Sequence, residues 1–224
     1  MTHAISPRAA AKTTPARPAA GLLLAGGIAA GPLFLGAGLL QGLTRQGFDF
    51  SRNAISQLSL GALGWIQVTV FLLTGTLTIA GAAGLRQVLR GTPGATWAPR
   101  LVGVFGASFL LAALFAPDPG AGFPAGAPEA PAGTLSTHGA IHMACAMTGY
   151  LALCAASLVL ARHFTALGQR GWTLASRLVP AGVLAGFAAS SVTVAAFTAG
   201  AGLGLLWLSA LTVRLARSAS LTRQ

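Results

Sequence analysis

Carboxylates are almost missing from this chain. Asp49, Asp118 and Glu129 are the three acids among 224 residues, against 14 basic residues. Charged residues of both signs make up 8% of the sequence, where soluble domains average about 25%, so a hydrated globular surface cannot be built from it. Lysine is reduced to Lys12, and arginine supplies every other base. With abundant Ala and Gly, this is the composition of a GC-rich bacterial genome. Cysteine is limited to Cys145 and Cys154, inside one apolar run. At about 100° per residue their nine-residue separation sets them on opposite sides of a helix, which excludes a disulfide framework. No Gly-x-Ser-x-Gly elbow surrounds any serine, and no internal repeat supports a transporter built from inverted halves.

What the chain has instead is apolar length: 54% of its residues are hydrophobic and its mean hydropathy is +0.73. A membrane span needs about 20 mostly apolar residues. The runs predict an all-α, polytopic transmembrane bundle of six spans at about residues 21–43, 62–85, 98–116, 138–161, 176–197 and 202–216. The last two are the ambiguous pair, because Leu178–Val213 contains no charge at all. One long helix there would carry Arg214 and Arg217 to the wrong side, so two helices meeting near Thr198–Gly202 are expected. Residues 1–20, with Arg8, Lys12 and Arg17, read as a disordered basic cytoplasmic tail before an uncleaved first span. The run that follows is too long for a signal-peptide core of roughly 7–15 residues.

Twelve of the basic residues fall in the two tails and in alternate connections. Arg45 and Arg52 share the other side with all three acids. This is the positive-inside pattern, and it places both termini in the cytoplasm of a bacterial inner membrane. Bases beside apolar runs serve orientation and contact with anionic membrane lipids. A nucleic-acid binder would gather them on one face of a soluble fold, so nucleic acid is not an expected partner, and protein partners are left open. Trp65, Trp97 and Trp172 fall at span ends, as an aromatic belt requires; Trp207, mid-span, has no such explanation.

The chemistry-bearing residues collect on the acidic side. His138 and His142 open the fourth span, four apart and therefore one above the other on a helical face. That spacing can hold a zinc or similar divalent ion, with Asp118 as a third ligand. The glutamate of the zinc-protease helix is missing. The alternative is that the pair pins loop carbonyls, or senses pH. Asp118, in Pro117-Asp118-Pro119, is either a turn residue or a partner of His138. Asp49 and Arg52 can pair across one turn, Ser51 can cap a short helix bearing Ile55 and Leu58 on one face, and Ser56 adds a hydroxyl. Asp49, Arg52, Ser56, Asp118, His138 and His142 make up the candidate outer-face site. Residues 117–137, with five prolines and four glycines, are expected to form a flexible outer loop. Gly27/Gly31 and Gly182/Gly186 suit close helix packing.

Taken together, Gly27-Ile-Ala-Ala-Gly31-Pro32-Leu-Phe34, the Asp49–Trp65 segment with Ile55-Ser56-Gln57-Leu58-Ser59 and Gly64-Trp65, and the His138/His142 pair resemble the bacterial membrane family of domain of unknown function 998. The resemblance covers nearly all of the chain after residue 20. It implies a multi-span helical inner-membrane protein and no reaction. The resemblance implies an acidic–basic pair often found near the start of the last span; Ala199–Leu205 here has none, so no role of such a pair carries over.

The catalytic set is incomplete. The reading that follows is a bundle that binds a lipid or apolar small molecule, or supports another membrane protein, with no cofactor expected. A metal-dependent intramembrane hydrolase at the outer face is the alternative, and a transporter the second. A transporter needs ionisable groups deep in the bilayer, which the spans largely lack.

Overall fold

The computed structural model describes residues 18–130 and 133–221, so most of the expected basic tail and Arg223 lie outside the described residues. The described chain is helical, with no strand. Its helices are α1 (Pro18–Thr44), α2 (Gly64–Val88), α3 (Trp97–Leu114), α4 (Thr137–Ala166), α5 (Arg170–Ala188) and α6 (Val194–Leu221). All six are long and apolar enough to cross a membrane.

Consecutive helices pack side by side, and α6 returns to α1, closing a ring. Small residues set the seams. A Cβ on Gly81 would lie 2.6 Å from the Cα of Gly27, and one on Gly75 would lie 2.7 Å from the carbonyl oxygen of Gly106. The α1/α2 and α2/α3 backbones therefore touch, which is how apolar helices associate where no hydrophobic force acts between them. Gly31 abuts the Leu205 carbonyl on α6, and Gly186 meets Gly200 across α5/α6. An aromatic chain fills the middle. Phe109 packs on Phe34 (5.2 Å), Phe71 (5.9 Å) and Phe105 (5.2 Å); Phe105 packs on Tyr150 (5.1 Å) and Tyr150 on Phe187 (5.0 Å).

The ring has two unlike ends. Connections 89–96 and 167–169 lie at one end, where Arg86, Arg90, Arg100, Arg162, Arg170, Arg177, Arg214 and Arg217 collect. The other end carries connections 45–63, 115–136 and 189–193, all three acids, Arg45 and Arg52.

The turn between α5 and α6 comes earlier than the expected Thr198–Gly202. It is a 3-10 turn at Ala189–Ser191, and α6 is already helical from Val194. The reason is non-local: the Val194 amide donates to the Ser51 carbonyl (3.0 Å) and Thr193 Oγ1 donates to the same oxygen (3.2 Å). Trp207 also gains an explanation. Its ring stacks on Trp172 (5.4 Å), which in turn packs on Phe164 (5.7 Å), tying α6 to α5 and α4.

Candidate functional site

The connection between α1 and α2 does not stay at the end of the bundle. It dips inward as a 3-10 helix, Ile55–Ser59, with Ile55 and Leu58 buried. A Cβ on Gly38 would lie 2.6 Å from Ile55 Cγ2. Ile55 is therefore level with a residue six positions, roughly 9 Å, inside the end of α1. Irregular backbone at such a depth has to be satisfied by protein groups, and four side chains do so. Arg45 donates to the Leu58 carbonyl and to that of Leu60 (2.6 Å). Gln57 accepts from the Ala54 amide (3.0 Å) and donates to the Asp118 carbonyl (3.3 Å). Asn53, 0% exposed, accepts from the Asp49 amide (2.9 Å) and donates to the carbonyls of Gly120 (3.3 Å) and Ala121 (3.4 Å). Ser59 folds its hydroxyl back on the Ser56 carbonyl (2.8 Å). Gly64 has to be glycine, because the Ser59 carbonyl oxygen would lie 2.1 Å from any Cβ there.

The 115–136 connection forms no helix or strand among its described residues, and it docks on this plug. Phe123 is 1% exposed, edge-on to Phe48 (5.2 Å) and beneath the Arg45 guanidinium. The Ala121 and Gly122 amides donate to the carbonyls of Ala130 and Pro128.

Beneath the plug lies a cavity of about 90 Å³. Its roof is Ala54–Ser56; its walls include Phe34, Phe71, Phe109, His142 and Tyr150, with Thr198 and Ala201 on α6. The polar groups around it are mostly engaged. Ser108 donates to the Phe105 carbonyl (2.7 Å) and Tyr150 to that of Ala201 (3.3 Å). Thr198 Oγ1 is buried there without a hydrogen-bond partner. The mouth lies on the α4 side, where Met143 is 48% exposed. Tyr150 meets Phe187 edge-on, one residue before the end of α5, yet Tyr150 is thirteen residues, roughly 20 Å, from the start of α4. The first turns of α4 rise past the end of α5, and the flank of the cavity opens there.

The six candidate residues divide. His142 and Ser56 line the cavity. His142 is 4% exposed and its Nδ1–H donates to the Phe115 carbonyl (2.7 Å), since a carbonyl can only accept. His138 is exposed, with its ring against Phe115 (5.5 Å). Asp118 turns toward the start of α4 and accepts from the Ser136 amide (2.9 Å). No group of three His, Cys, Asp or Glu that could hold a metal ion is found among the described residues. Of the candidate ligands, His142 is turned to a loop carbonyl, the other role weighed for the pair, His138 is exposed and Asp118 is turned to the Ser136 amide.

The expected Asp49–Arg52 pair is replaced by two separate contacts. Arg52 reaches Glu129, carboxylate and carbonyl both at 2.9 Å, and Asp49 accepts from the Ser51 hydroxyl (2.7 Å) and amide (2.8 Å). Those Ser51 donors hold the Asp49 carboxyl below the usual carboxylate range. Ser51 therefore does not cap the short helix, whose N-cap is Ala54. Sequence reasoning missed Arg45, Asn53, Gln57 and Phe123. Arg45 carried a signal, being a base on the acidic side of the charge alternation; so did Phe123, a large aromatic amid prolines and glycines.

Residues 28–214 match the family described as Protein of unknown function (DUF998), and the chain belongs to that family. No curated protein and no solved structure matches the chain.

Proposed function

For this member of the family we propose an integral membrane protein of the bacterial cytoplasmic membrane that binds a lipid or apolar chain without chemistry, with both termini in the cytoplasm. The orientation rests on charge: eight arginines ring one end of the described bundle, and every acid lies at the other. That asymmetry is the positive-inside signature.

The observation that carries the binding reading is the cavity under Ala54–Ser56, apolar, aromatic-walled and open on the flank of α4. Its volume of about 90 Å³ is below the 150 Å³ of an engineered cavity that takes up benzene. A slender hydrocarbon end therefore suits it better than a ring system. Entry from the side suits a ligand already dissolved in the bilayer.

The test is photolabelling in membranes with a fatty acid bearing a terminal diazirine. Label concentrated at residues 142–146 and 197–201, and removed by Ala146→Phe without loss of the folded protein, supports the reading. Label spread equally over exposed α3 positions such as Val104 and Leu111 would sink it.

A further inference from the structure

A second recess lies at the arginine end, between the end of α4 and the start of α5. It is a groove of about 330 Å³ lined by Thr165, Gly168, Arg170, Thr173, Leu174 and Arg177. Arg170, Leu174 and Arg177 fall at i, i+4 and i+7, one stripe on α5. The two guanidiniums start about 10 Å apart along the axis, close enough for both to reach one anion between them. The Thr165 hydroxyl donates to the Ala161 carbonyl (2.8 Å) and its oxygen lies 3.4 Å from the Thr173 hydroxyl, so two hydroxyl oxygens line the wall of the groove.

Among the described residues no acidic side chain supplies the counter-charge. Asp49, Asp118 and Glu129 are all at the opposite end, and the ion pair among the described residues is Arg52–Glu129. The first turn of α5 holds no acidic residue, and its N-cap Gln169 makes no capping bond. Between the arginines Leu174 is 58% exposed, an apolar step beside two cations.

We propose that this groove binds the phosphate of an anionic phospholipid headgroup, held between Arg170 and Arg177, with Leu174 against the start of the acyl region. The site is separate from the cavity under Ala54–Ser56. It rests on the membrane reading above and not on what that cavity holds. A phosphodiester offers the planar guanidinium two oxygens at once, and membrane lipid places that group at the depth of a helix end.

The test is native mass spectrometry of the detergent-extracted full chain, titrated with phosphatidylglycerol or phosphatidylcholine. Wild type should retain phosphatidylglycerol preferentially. Arg170→Gln/Arg177→Gln, which removes the charge-assisted hydrogen bonds to the phosphate, should lose about tenfold or more of that preference. Arg86→Gln/Arg90→Gln, which removes the same charge from exposed positions, should keep it. Arg170→Lys/Arg177→Lys, which preserves the charge, guards against a variant that fails to fold and should retain part of the preference. Equal loss in both glutamine pairs would overturn the site in favour of bulk charge. No preference in wild type, or abolition of the preference by millimolar inorganic phosphate, would overturn the headgroup assignment. Alkaline carbonate extraction separates the two readings, since a chain released from membranes fails the membrane reading first.

Discussion

The guanidinium of Arg45 lies 5.0 Å over the ring of Phe123, which joins the connection after α1 to the connection after α3. The same side chain donates to the carbonyls of Leu58 and Leu60. A planar fork serves a ring face and two carbonyls together, which a lysine ammonium does not reproduce. Arg45→Lys should therefore cost about 1–3 kcal/mol, read as a lowered melting temperature in detergent. Arg52→Lys, at an exposed ion pair, should cost no more than about 1 kcal/mol. Equal losses would mean that Arg45 acts only as a charge.

Helix contact makes a second expectation. Gly81→Ala puts a Cβ 2.6 Å from the Gly27 Cα, backbone against backbone, so α1 and α2 have to separate. A destabilisation of about 1–3 kcal/mol should follow. Gly103→Ala, with nothing within 4 Å of its Cβ, should be neutral or stabilise by about 0.4–1 kcal/mol. Thermal unfolding of the two variants side by side decides it.

Gln41 and Gln67 are 7% and 0% exposed, and the Gln41 Nε2 donates to the Gln67 Oε1 (2.7 Å). Gln67→Leu leaves the Gln41 amide with only its bond to the Ala37 carbonyl (3.2 Å) and should cost about 1–3 kcal/mol. Gln41→Leu/Gln67→Leu removes both polar groups and should cost less than the sum of the two single changes, with a coupling of about 0.5–3 kcal/mol. Simple additivity would show that the amides do not depend on each other.

The Asp49 carboxyl is held below the ordinary range by the Ser51 hydroxyl and amide. Folding thus favours its charged form. The stability it adds is complete above the unfolded value, about 3.9, and is lost as pH falls through the lower folded value. Melting followed from pH 6 to pH 3 should show a smaller acid loss in Asp49→Asn than in wild type, the difference appearing below about pH 4. Parallel curves would remove Asp49 from the acid response.

The six helices were legible because each apolar run is bounded by arginine, tryptophan or a turn-rich connection. The exception is instructive. Leu178–Val213 offers no charge to mark a boundary, and its turn is fixed by Thr193 and Val194 docking on Ser51, a contact that no local pattern announces. The site was legible in part for the same reason. Helical spacing put His142 on the right helix, and Ser56 came from the neighbouring segment. Spacing did not show that His138 faces outward while His142 faces inward, nor that Asp118 turns to the Ser136 amide. Those choices depend on contacts with the 115–136 connection, the Phe115 carbonyl for His142 and the Ser136 amide for Asp118, which no spacing announces.

The inward dip of Ile55–Ser59 sets an order on biogenesis. Asn53 leaves the ribosome long before its acceptors, since Gly120 is 67 residues further on, and the Thr193 hydroxyl that bonds the Ser51 carbonyl is 142 residues downstream. Until those partners arrive, the link between the first two helices has buried-type carbonyls and amides and no place to bury them. It has to wait in water at the bilayer surface while α3 and α4 are inserted. The first hairpin is thus laid down early and finished late, and a chain truncated before Asp118 should carry that link outside the bundle, open to proteases that the complete fold denies.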